Sequence, residues 1–321
     1  MTALPRGGVQ QRHSYQRYLY LALVLVALYV IVPQLGIFQH SLNLAERAQP
    51  KFVLAALGCS LVSYLFAALT YYLLAIKPLR YRPTLLIQVA SMFTNRLLPA
   101  GLGSMGANFF YLRQAGHNSS QAVSVVGLNN VLGFVGHAWL VGLLLVLVPS
   151  ARHTIPAGHV SARSLLLIAA ITVGLLFTMT LATKLRRTLF NGITAVASNV
   201  WRYRFRPGRL LTAISSSMAL TVSNFMCLWF SALAVGVHVS LVAILLVFTF
   251  GVALGSVAPT PGGLGGVEAG LVAGLVAYHV PANQALAAVL IFRLINYWFS
   301  FLLGAGAFVL AQRRGYLQKT A

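Results

Sequence analysis

Long apolar runs constrain this chain more than any other feature. Runs close to 20 residues long recur along its 321 residues, of which 59% are hydrophobic and only 8% are charged. An α-helix needs about 20 apolar residues to cross the hydrocarbon core of a bilayer, and a soluble domain carries roughly 25% charged residues. We therefore expect an all-α polytopic membrane protein, because helices satisfy their own backbone polar groups within lipid.

The apolar pattern predicts six long spans and two shorter segments that each end in a Pro/Gly break. The long spans are expected at 18–37, 52–76, 121–149, 164–184, 209–236 and 283–311. The shorter segments, 83–98 and 239–257, are each followed by a short helix, over 101–116 and 262–280. These broken pieces are either re-entrant hairpins or full crossings, and the sequence leaves both open.

Basic residues set the expected orientation. If the N-terminus is cytoplasmic, 17 of the 23 Lys and Arg residues face the cytoplasm, four face outward and two lie within the membrane. Cytoplasmic loops carry the excess of Lys and Arg, so both termini are expected inside. One transmembrane domain over 17–312 then lies between cytoplasmic tails at 1–16 and 313–321. Topology and attraction to anionic lipid explain the net charge of +21, and no nucleic-acid partner is expected.

The most unusual stretch is residues 258–270, which read APTPGGLGGVEAG. Proline and glycine break a helix here, and Glu268 is one of only two acids in the chain. Pro261 is expected to end the incoming helix, and the four glycines after it allow the backbone to turn close to a ligand. They are Gly262, Gly263, Gly265 and Gly266. The next helix is expected to present free N–H groups at its N-terminus, which suits a phosphate or a carboxylate.

The break recurs in the first half of the chain. With an offset of 162 residues, LPAGLGSMGA at 98–107 lies over TPGGLGGVEA at 260–269, so that Pro99, Gly101 and Gly103 match. The copies start from opposite sides of the membrane, which predicts inverted repeats over 17–149 and 164–312. Gly/Pro-broken helices at equivalent places of inverted halves indicate a transport site near the midplane. The alternative is that small residues only let helices pack closely.

Three charged residues are expected deep in the membrane, and they are Arg96, Glu268 and Arg293. One interpretation is that Glu268 and Arg293 form a pair that only locks two helices together. Arg96 would even then lack an acidic partner in the membrane, because the second acid, Glu46, lies in an outer loop. A buried cation without a partner is costly, so we expect a substrate anion to be its counter-ion.

Polar residues accompany these charges. Asn95 directly precedes the first break, and Asn130 lies at the position of the first repeat that corresponds to Arg293. Spacings of i, i+3 and i+4 place Asn296 and Tyr297 on the helix face of Arg293. We expect these side chains to line a substrate-binding site together with the two breaks.

The sequence contains none of the common catalytic or metal-binding motifs, such as a Walker A motif or H-E-x-x-H. Two acids in 321 residues leave little for acid–base catalysis or for a hard metal ion. We therefore expect no self-sufficient enzyme, no cofactor and no metal site. His117 and His279, at the ends of the short helices, are candidates for a proton relay, although histidines are also common at membrane interfaces.

Two motifs carry a resemblance to a known family. Residues 259–304 contain P-x-P-G-G-x-G-x-x-E and then Phe292-Arg293 followed by Tyr297-Trp298, and residues 95–116 contain Asn-x-x-x-Pro followed by glycines. Over about 50–312 the chain resembles the lysylphosphatidylglycerol synthase transmembrane-region family. The resemblance implies a flippase-like domain, as in the membrane half of the multiple peptide resistance factor, which moves aminoacylated phosphatidylglycerol across the bacterial inner membrane.

The resemblance also implies limits. Because the sequence ends at Ala321 without the family's soluble aminoacyl-transferase domain, we expect a stand-alone member that does not transfer lysine. Many members carry charged residues where this chain has Ser104, Ala107, Asn129 and Asn130. This departure leaves the lipid head-group open.

We therefore expect a multi-pass inner-membrane protein that binds or translocates an anionic phospholipid, with inverted repeats and broken or re-entrant helices. Arg96 and Arg293 are expected to contact phosphate, and Glu268 to orient Arg293 or to contact a cationic head-group. An alternative is a membrane subunit or scaffold for a separate lipid- or glycan-modifying enzyme. A glycolipid transferase is disfavoured by the shortage of acids, and a homo-oligomer is left open.

Overall fold

The structure is a computed structural model that describes residues 43–98, 101–147, 207–257 and 260–317. The described residues are almost entirely helical and contain no β-strand, which confirms the all-α expectation. Within the described residues, three helices are long and apolar enough to cross a bilayer by length and composition, and they are Pro50–Leu74, Pro207–Ala234 and Ala282–Arg313. The spans expected at 18–37 and 164–184, the N-terminal tail and Pro99 lie outside the described residues.

Four α-helices lie within the described residues before 148. They are α1 (Pro50–Leu74), α2 (Tyr81–Leu97), α3 (Leu102–Gln114) and α4 (Ser119–Leu147). Their bounds agree with the predicted segments to about two residues, the usual uncertainty of helix ends. A proline opens α1, where its missing N–H has no helical partner to lose. In the sequence Pro99 comes shortly after the end of α2, as expected for a residue that disfavours helix before it.

Five α-helices lie in the described ranges 207–257 and 260–317. They are α5 (Pro207–Ala234), α6 (Leu241–Val257), α7 (Gly266–Ala277), α8 (Ala282–Arg293) and α9 (Ser300–Arg313). A 3₁₀ turn over Pro261–Gly263 takes the place of the predicted start of helix 262–280. A π-helix over Leu294–Phe299 joins α8 and α9 into one helix of 32 residues. Short π-helical turns inside α-helices are rare and are frequent at functional sites.

The helices α2 and α3 pack as a first hairpin (81–114), and α6 and α7 pack as a second hairpin (241–277). At the base of the first hairpin, the Lys77 N–H donates to His117 Nε2 at 3.0 Å. At the base of the second hairpin, residues 236–240 and 278–281 line one cavity of about 330 Å³. Each hairpin therefore returns to the end of the molecule at which it starts.

Each hairpin is anchored by its own apolar cluster. One cluster joins Ile87 of α2 and Leu112 of α3 to side chains of α1 and α4. The other joins Ile244 of α6 and Leu271 of α7 to side chains of α5 and α8. All four of these residues are completely buried. Because α1 also packs along α5, the two halves form one body and the hairpins have fixed positions within it.

Arg209 fastens the start of α5 to the end of α1. Its Nε donates to Leu73 O at 2.7 Å, and its Nη2 donates to Tyr72 O and Ala75 O, each at 3.2 Å. The last carbonyls of a helix lack partners within the helix and carry partial negative charge. Arg209 therefore satisfies the end of α1 with a cation.

Candidate functional site

The tip of the first hairpin, at Arg96, and the tip of the second, at Gly262, meet beside the middle of the 32-residue helix that α8 and α9 form. Arg96, in the last turn of α2, donates from Nη2 to Asn296 O at 2.8 Å. Its guanidinium carbon lies 4.9 Å from the centre of the Tyr297 ring. Asn296 and Tyr297 both belong to the π-helix. The structure thus joins a residue of the first break to residues of the opposite half.

Gly262, in the turn of the second hairpin, lies against Tyr297 and Arg96. Its φ is +61°, in the left-handed region that glycine adopts without strain. A Cβ built on it would lie 2.6 Å from Tyr297 Cε2 and 3.0 Å from Arg96 Cδ. The turn therefore requires glycine both for its backbone conformation and for the space that the two side chains fill.

Arg293 and Glu268 form an ion pair. Arg293 Nε donates to Glu268 Oε1 at 2.7 Å, and 8% of the arginine side chain and 23% of the glutamate side chain are exposed. The other carboxylate oxygen, Oε2, accepts the N–H of Gly265 at 2.9 Å. This contact is the glutamate half of a capping box at the start of α7. The anion at this helix N-terminus is therefore Glu268, where the sequence suggested a substrate anion.

Both guanidinium groups lie against Tyr297. The Arg293 guanidinium carbon is 4.4 Å from the ring centre, and the Arg96 guanidinium carbon is 4.9 Å from it. The face of an aromatic ring attracts a cation by about 0.5–1 kcal/mol at exposed sites and by more where water is excluded. Because Tyr297 is only 4% exposed, its ring holds two like charges in a shielded place without neutralising either.

Three buried polar atoms at this place have no hydrogen-bond partner among the described residues. They are Asn95 Oδ1, Arg96 Nε and Arg293 Nη2. Buried polar groups are nearly always satisfied, and leaving one unsatisfied costs about 1–3 kcal/mol. Two guanidinium donors beside Tyr297 are therefore available to a ligand, and one further acceptor lies at the first tip, near Gly101. We call Asn95, Arg96, Glu268, Arg293 and Tyr297 the arginine cluster.

The remaining predicted residues of the first break hold the backbone of the hairpin. Gly101 is the N-cap of α3. Gly103 packs directly on α2, where a Cβ would lie 1.9 Å from Thr94 O. The Thr94 hydroxyl donates to Gly103 O at 2.9 Å. These contacts set the angle of the tip, and no contact of Gly101 or Gly103 with the arginines is seen in the described part of the chain.

The other predicted residues of the second half and of α4 fall on either side of the cluster. Pro261 opens the 3₁₀ turn that Gly263 ends, and Gly266 is the first residue of α7. Asn130 is exposed on α4. No hydrogen bond links its side chain to the arginine cluster within the described ranges, so the structure gives Asn130 no role there.

Sequence analysis did not single out Asn224, Tyr64 and Ser300, whose polar side chains support the π-helix. Asn296 Nδ2 donates to Asn224 Oδ1 on α5 at 2.9 Å. The hydroxyls of Tyr64 on α1 and Ser300 on α9 are also hydrogen-bonded. The available signal was a polar side chain inside an apolar span, which usually faces other helices and not lipid. These contacts tie α1 and α5 to the helix that carries Arg293 and Tyr297.

The two histidines proposed for a proton relay have different surroundings. His117 is buried, and its Nδ1 donates to Leu112 O at 3.1 Å while its Nε2 accepts the Lys77 N–H. Burial, with a smaller contribution from the Lys77 charge, lowers the pKa of His117 below its ordinary value. His279 is exposed and has a φ of +63°. Nothing in the described part of the chain tests the relay, which stays a prediction.

Comparison with known protein families supports a membrane protein. The sequence model of a family described as "Lysylphosphatidylglycerol synthase TM region" matches residues 18–304. The matched stretch contains both hairpins, the π-helix and every residue of the arginine cluster. No curated protein matches the chain.

Proposed function

Because the chain belongs to the lysylphosphatidylglycerol synthase TM region family, whose membrane domain is lipid-related and flippase-like, we propose that it binds an anionic phospholipid and moves it across the inner membrane. The proposed binding site is the arginine cluster. The lipid phosphate accepts hydrogen bonds from Arg96 Nε and Arg293 Nη2, and the acyl chains stay in the bilayer.

An imbalance of charge carries this proposal. Arg96 and Arg293 lie against one ring, and Glu268 is the single carboxylate paired with either of them in the described ranges. Arg96 bonds to the neutral carbonyl of Asn296 instead. Two cations and one carboxylate leave a positive charge in a largely buried place, which favours a ligand that brings negative charge. A phosphodiester has the oxygens that two N–H donors need.

We further propose that both hairpins are re-entrant, with tips near the membrane midplane. The support is that each hairpin returns to its starting end and that the tips meet beside the middle of a 32-residue helix. In this topology both termini and the base of the first hairpin are cytoplasmic, and the base of the second hairpin is external. The halves 17–149 and 164–312 are then inverted repeats, an arrangement in which transporters place substrates between broken helices.

Exchange of hydrogen bonds explains how a lipid passes the tips. The contact between the first hairpin and the π-helix includes the Arg96–Asn296 hydrogen bond and the packing of Arg96 and Tyr297 on Gly262. A phosphate oxygen is a stronger acceptor for a guanidinium than a neutral carbonyl is. An arriving phosphate can therefore take Arg96 from Asn296, while α2 stays packed on α9 through Phe93 and Gly304.

Vesicles that contain the full chain and fluorescent phosphatidylglycerol test this proposal. Arg96→Gln is expected to slow movement of the lipid between leaflets about tenfold or more, because a charge-assisted hydrogen bond contributes roughly 1.5–3 kcal/mol. Arg314→Gln removes the same charge from an exposed residue after α9 and should leave the rate unchanged. Equal rates for the wild type and Arg96→Gln would contradict the proposed site.

Two glycine variants separate crowding at the cluster from backbone strain. Gly262 and Gly265 both have positive φ, +61° and +83°, so alanine strains both turns. A Cβ at 262 meets Tyr297 and Arg96, whereas a Cβ at 265 meets nothing within 4 Å. Lipid movement should therefore fall more in Gly262→Ala than in Gly265→Ala. If the wild type moves no lipid at all, copurification with a separate lipid- or glycan-modifying enzyme becomes the deciding measurement.

A further inference from the structure

We infer that the arginine cluster selects phosphodiester lipids without an amine, so that aminoacylated phosphatidylglycerol is a poor ligand of this chain. The inference rests on the proposed function, because it names the lipid class that the same site takes. The family description refers to a lipid that carries a lysyl group. The α- and ε-ammonium groups of such a head-group need carboxylates, carbonyls or aromatic faces as partners.

The chain has almost no carboxylate to offer an ammonium group. Its two acids are Glu46 and Glu268. Glu46 is exposed and precedes the first residue of α1. Tyr64, which bonds to Ser300 next to the π-helix, lies 14 residues beyond Pro50, and a rise of 1.5 Å per residue separates them by about 21 Å. Glu46 is therefore at the end of the span, away from the arginine cluster.

Glu268, the acid inside the cluster, is already engaged on both oxygens. Arg293 holds Oε1 at 2.7 Å, and the Gly265 N–H holds Oε2 at 2.9 Å. An ammonium that replaced Arg293 would leave the guanidinium buried without its partner, and one that replaced the Gly265 N–H would leave the start of α7 uncapped. Both of these contacts are made within the protein, so we assign the carboxylate to orienting Arg293 and not to receiving a cationic head-group.

The other groups of the cluster favour phosphate oxygens over amines. Arg96 Nε and Arg293 Nη2 are both N–H donors, and Asn95 Oδ1 is the one acceptor among the three unpartnered atoms. The Tyr297 ring, which would otherwise attract an ammonium, is already contacted by two guanidinium groups. A lysyl head-group would therefore bring positive charge to a place that already has an excess of it.

Native mass spectrometry of the full chain in neutral detergent tests the inference. The protein is offered phosphatidylglycerol and lysyl-phosphatidylglycerol with the same acyl chains, and phosphatidylcholine as the reference lipid. We expect phosphatidylglycerol to bind at least about tenfold more tightly than its lysyl ester. Asn95→Asp adds a carboxylate of nearly the same shape at the residue before Arg96. The ratio of the two lipid affinities should therefore be several-fold smaller in this variant.

Asn118→Asp is the matched control, because Asn118 is exposed and caps the Gln121 N–H with its Oδ1 at 2.8 Å, a role that aspartate retains. Its lipid preference should equal that of the wild type. Equal or tighter binding of the lysyl ester by the wild type overturns the inference but leaves the proposed function standing. If neither glycerol lipid binds more tightly than phosphatidylcholine, the proposed function fails as well. If Asn95→Asp does not fold, the wild-type ratio alone decides.

Discussion

The tips of the two hairpins are held in different ways. The first tip packs on its own hairpin, because Gly103 lies against the backbone of Thr94 and accepts its hydroxyl. The second tip packs on the rest of the protein, because Gly262 lies against Tyr297, and Glu268 of the following helix pairs with Arg293. The first hairpin also packs along α9 of the opposite half, where Phe93 of α2 contacts Phe301 and Phe308, and Arg96 adds a charged contact with the π-helix. The two tips therefore differ in which part of the protein supports their glycines.

The bases of the two hairpins differ in the surroundings of their histidines. At the first base, His117 is buried and both of its ring nitrogens are hydrogen-bonded. In the second, His238 and His279 are exposed and line a cavity of about 330 Å³. The backbone ends are nevertheless alike, since His117 N donates to Leu112 O and Val280 N donates to Leu275 O. The two bases thus share this helix-ending hydrogen bond, while their side chains differ.

The largest expected effect is the loss of the charged contact at the second tip. Glu268→Gln leaves Arg293 buried without its carboxylate, and breaking such a pair costs about 3–5 kcal/mol. The unfolding temperature in detergent should fall strongly. The double variant Glu268→Gln/Arg293→Gln removes both charges and should recover part of the loss. Additive losses would show that the two residues are not coupled and that the second tip is held by packing alone.

The next effect concerns the first tip. Gly103→Ala places a Cβ 1.9 Å from Thr94 O, so the backbone of α2 or α3 must shift, at a cost of about 1–3 kcal/mol or more. Gly106→Ala is the matched control on the same helix, since a Cβ there meets nothing within 4 Å. The unfolding temperature should fall for Gly103→Ala and stay level or rise for Gly106→Ala. Equal unfolding temperatures would show that the first tip does not pack on itself.

Local signals in the sequence predicted much of this arrangement. The apolar runs and the Pro/Gly breaks located α2, α3, α6 and α7, because helix ends depend mainly on nearby residues. The pairing of Glu268 with Arg293 was one of two interpretations of Glu268 in the sequence, beside contact with a cationic head-group. The capping role of Glu268 also had a local signal, three residues after Gly265, but the glycine N-cap concealed it.

Contacts between distant segments could not be predicted in the same way. No local pattern shows that Arg96 bonds to Asn296 O, 200 residues away, or that the helix widens to a π-helix at Leu294–Phe299. The crowding at Gly262 likewise depends on the packing of Tyr297 from another helix. The repeat suggested Asn130 as the counterpart of Arg293, yet that side chain is exposed, because equivalent positions in two halves need not face the same place.

A smaller effect is a pH dependence of the unfolding temperature, which we expect from the buried His117 at the base of the first hairpin. The folded pKa of His117 is below its ordinary value of 6.5, so the unfolded chain binds the proton first as the pH falls. The contribution of neutral His117 to the free energy of unfolding is therefore fully present above pH 6.5 and declines as the pH falls below it. Lys77 and Arg113, which both contact the His117 turn, oppose the added charge. The unfolding temperature of the wild type should drop below pH 6.5, and that of His117→Gln should drop less. Identical pH profiles would remove His117 as the cause.

The smallest effect compares the residues that end α3 and α7. Gly116 and His279 both have left-handed backbones, with φ of +86° and +63°, and such a conformation costs a residue other than glycine about 1–2 kcal/mol. His279→Gly should therefore stabilise the protein by about 1 kcal/mol, and Gly116→Ala should destabilise it by a similar amount. Opposite shifts of the unfolding temperature in detergent would support this equivalence of the two bases. A loss of stability in His279→Gly would show instead that the imidazole makes a contact at the second base which outweighs its backbone strain.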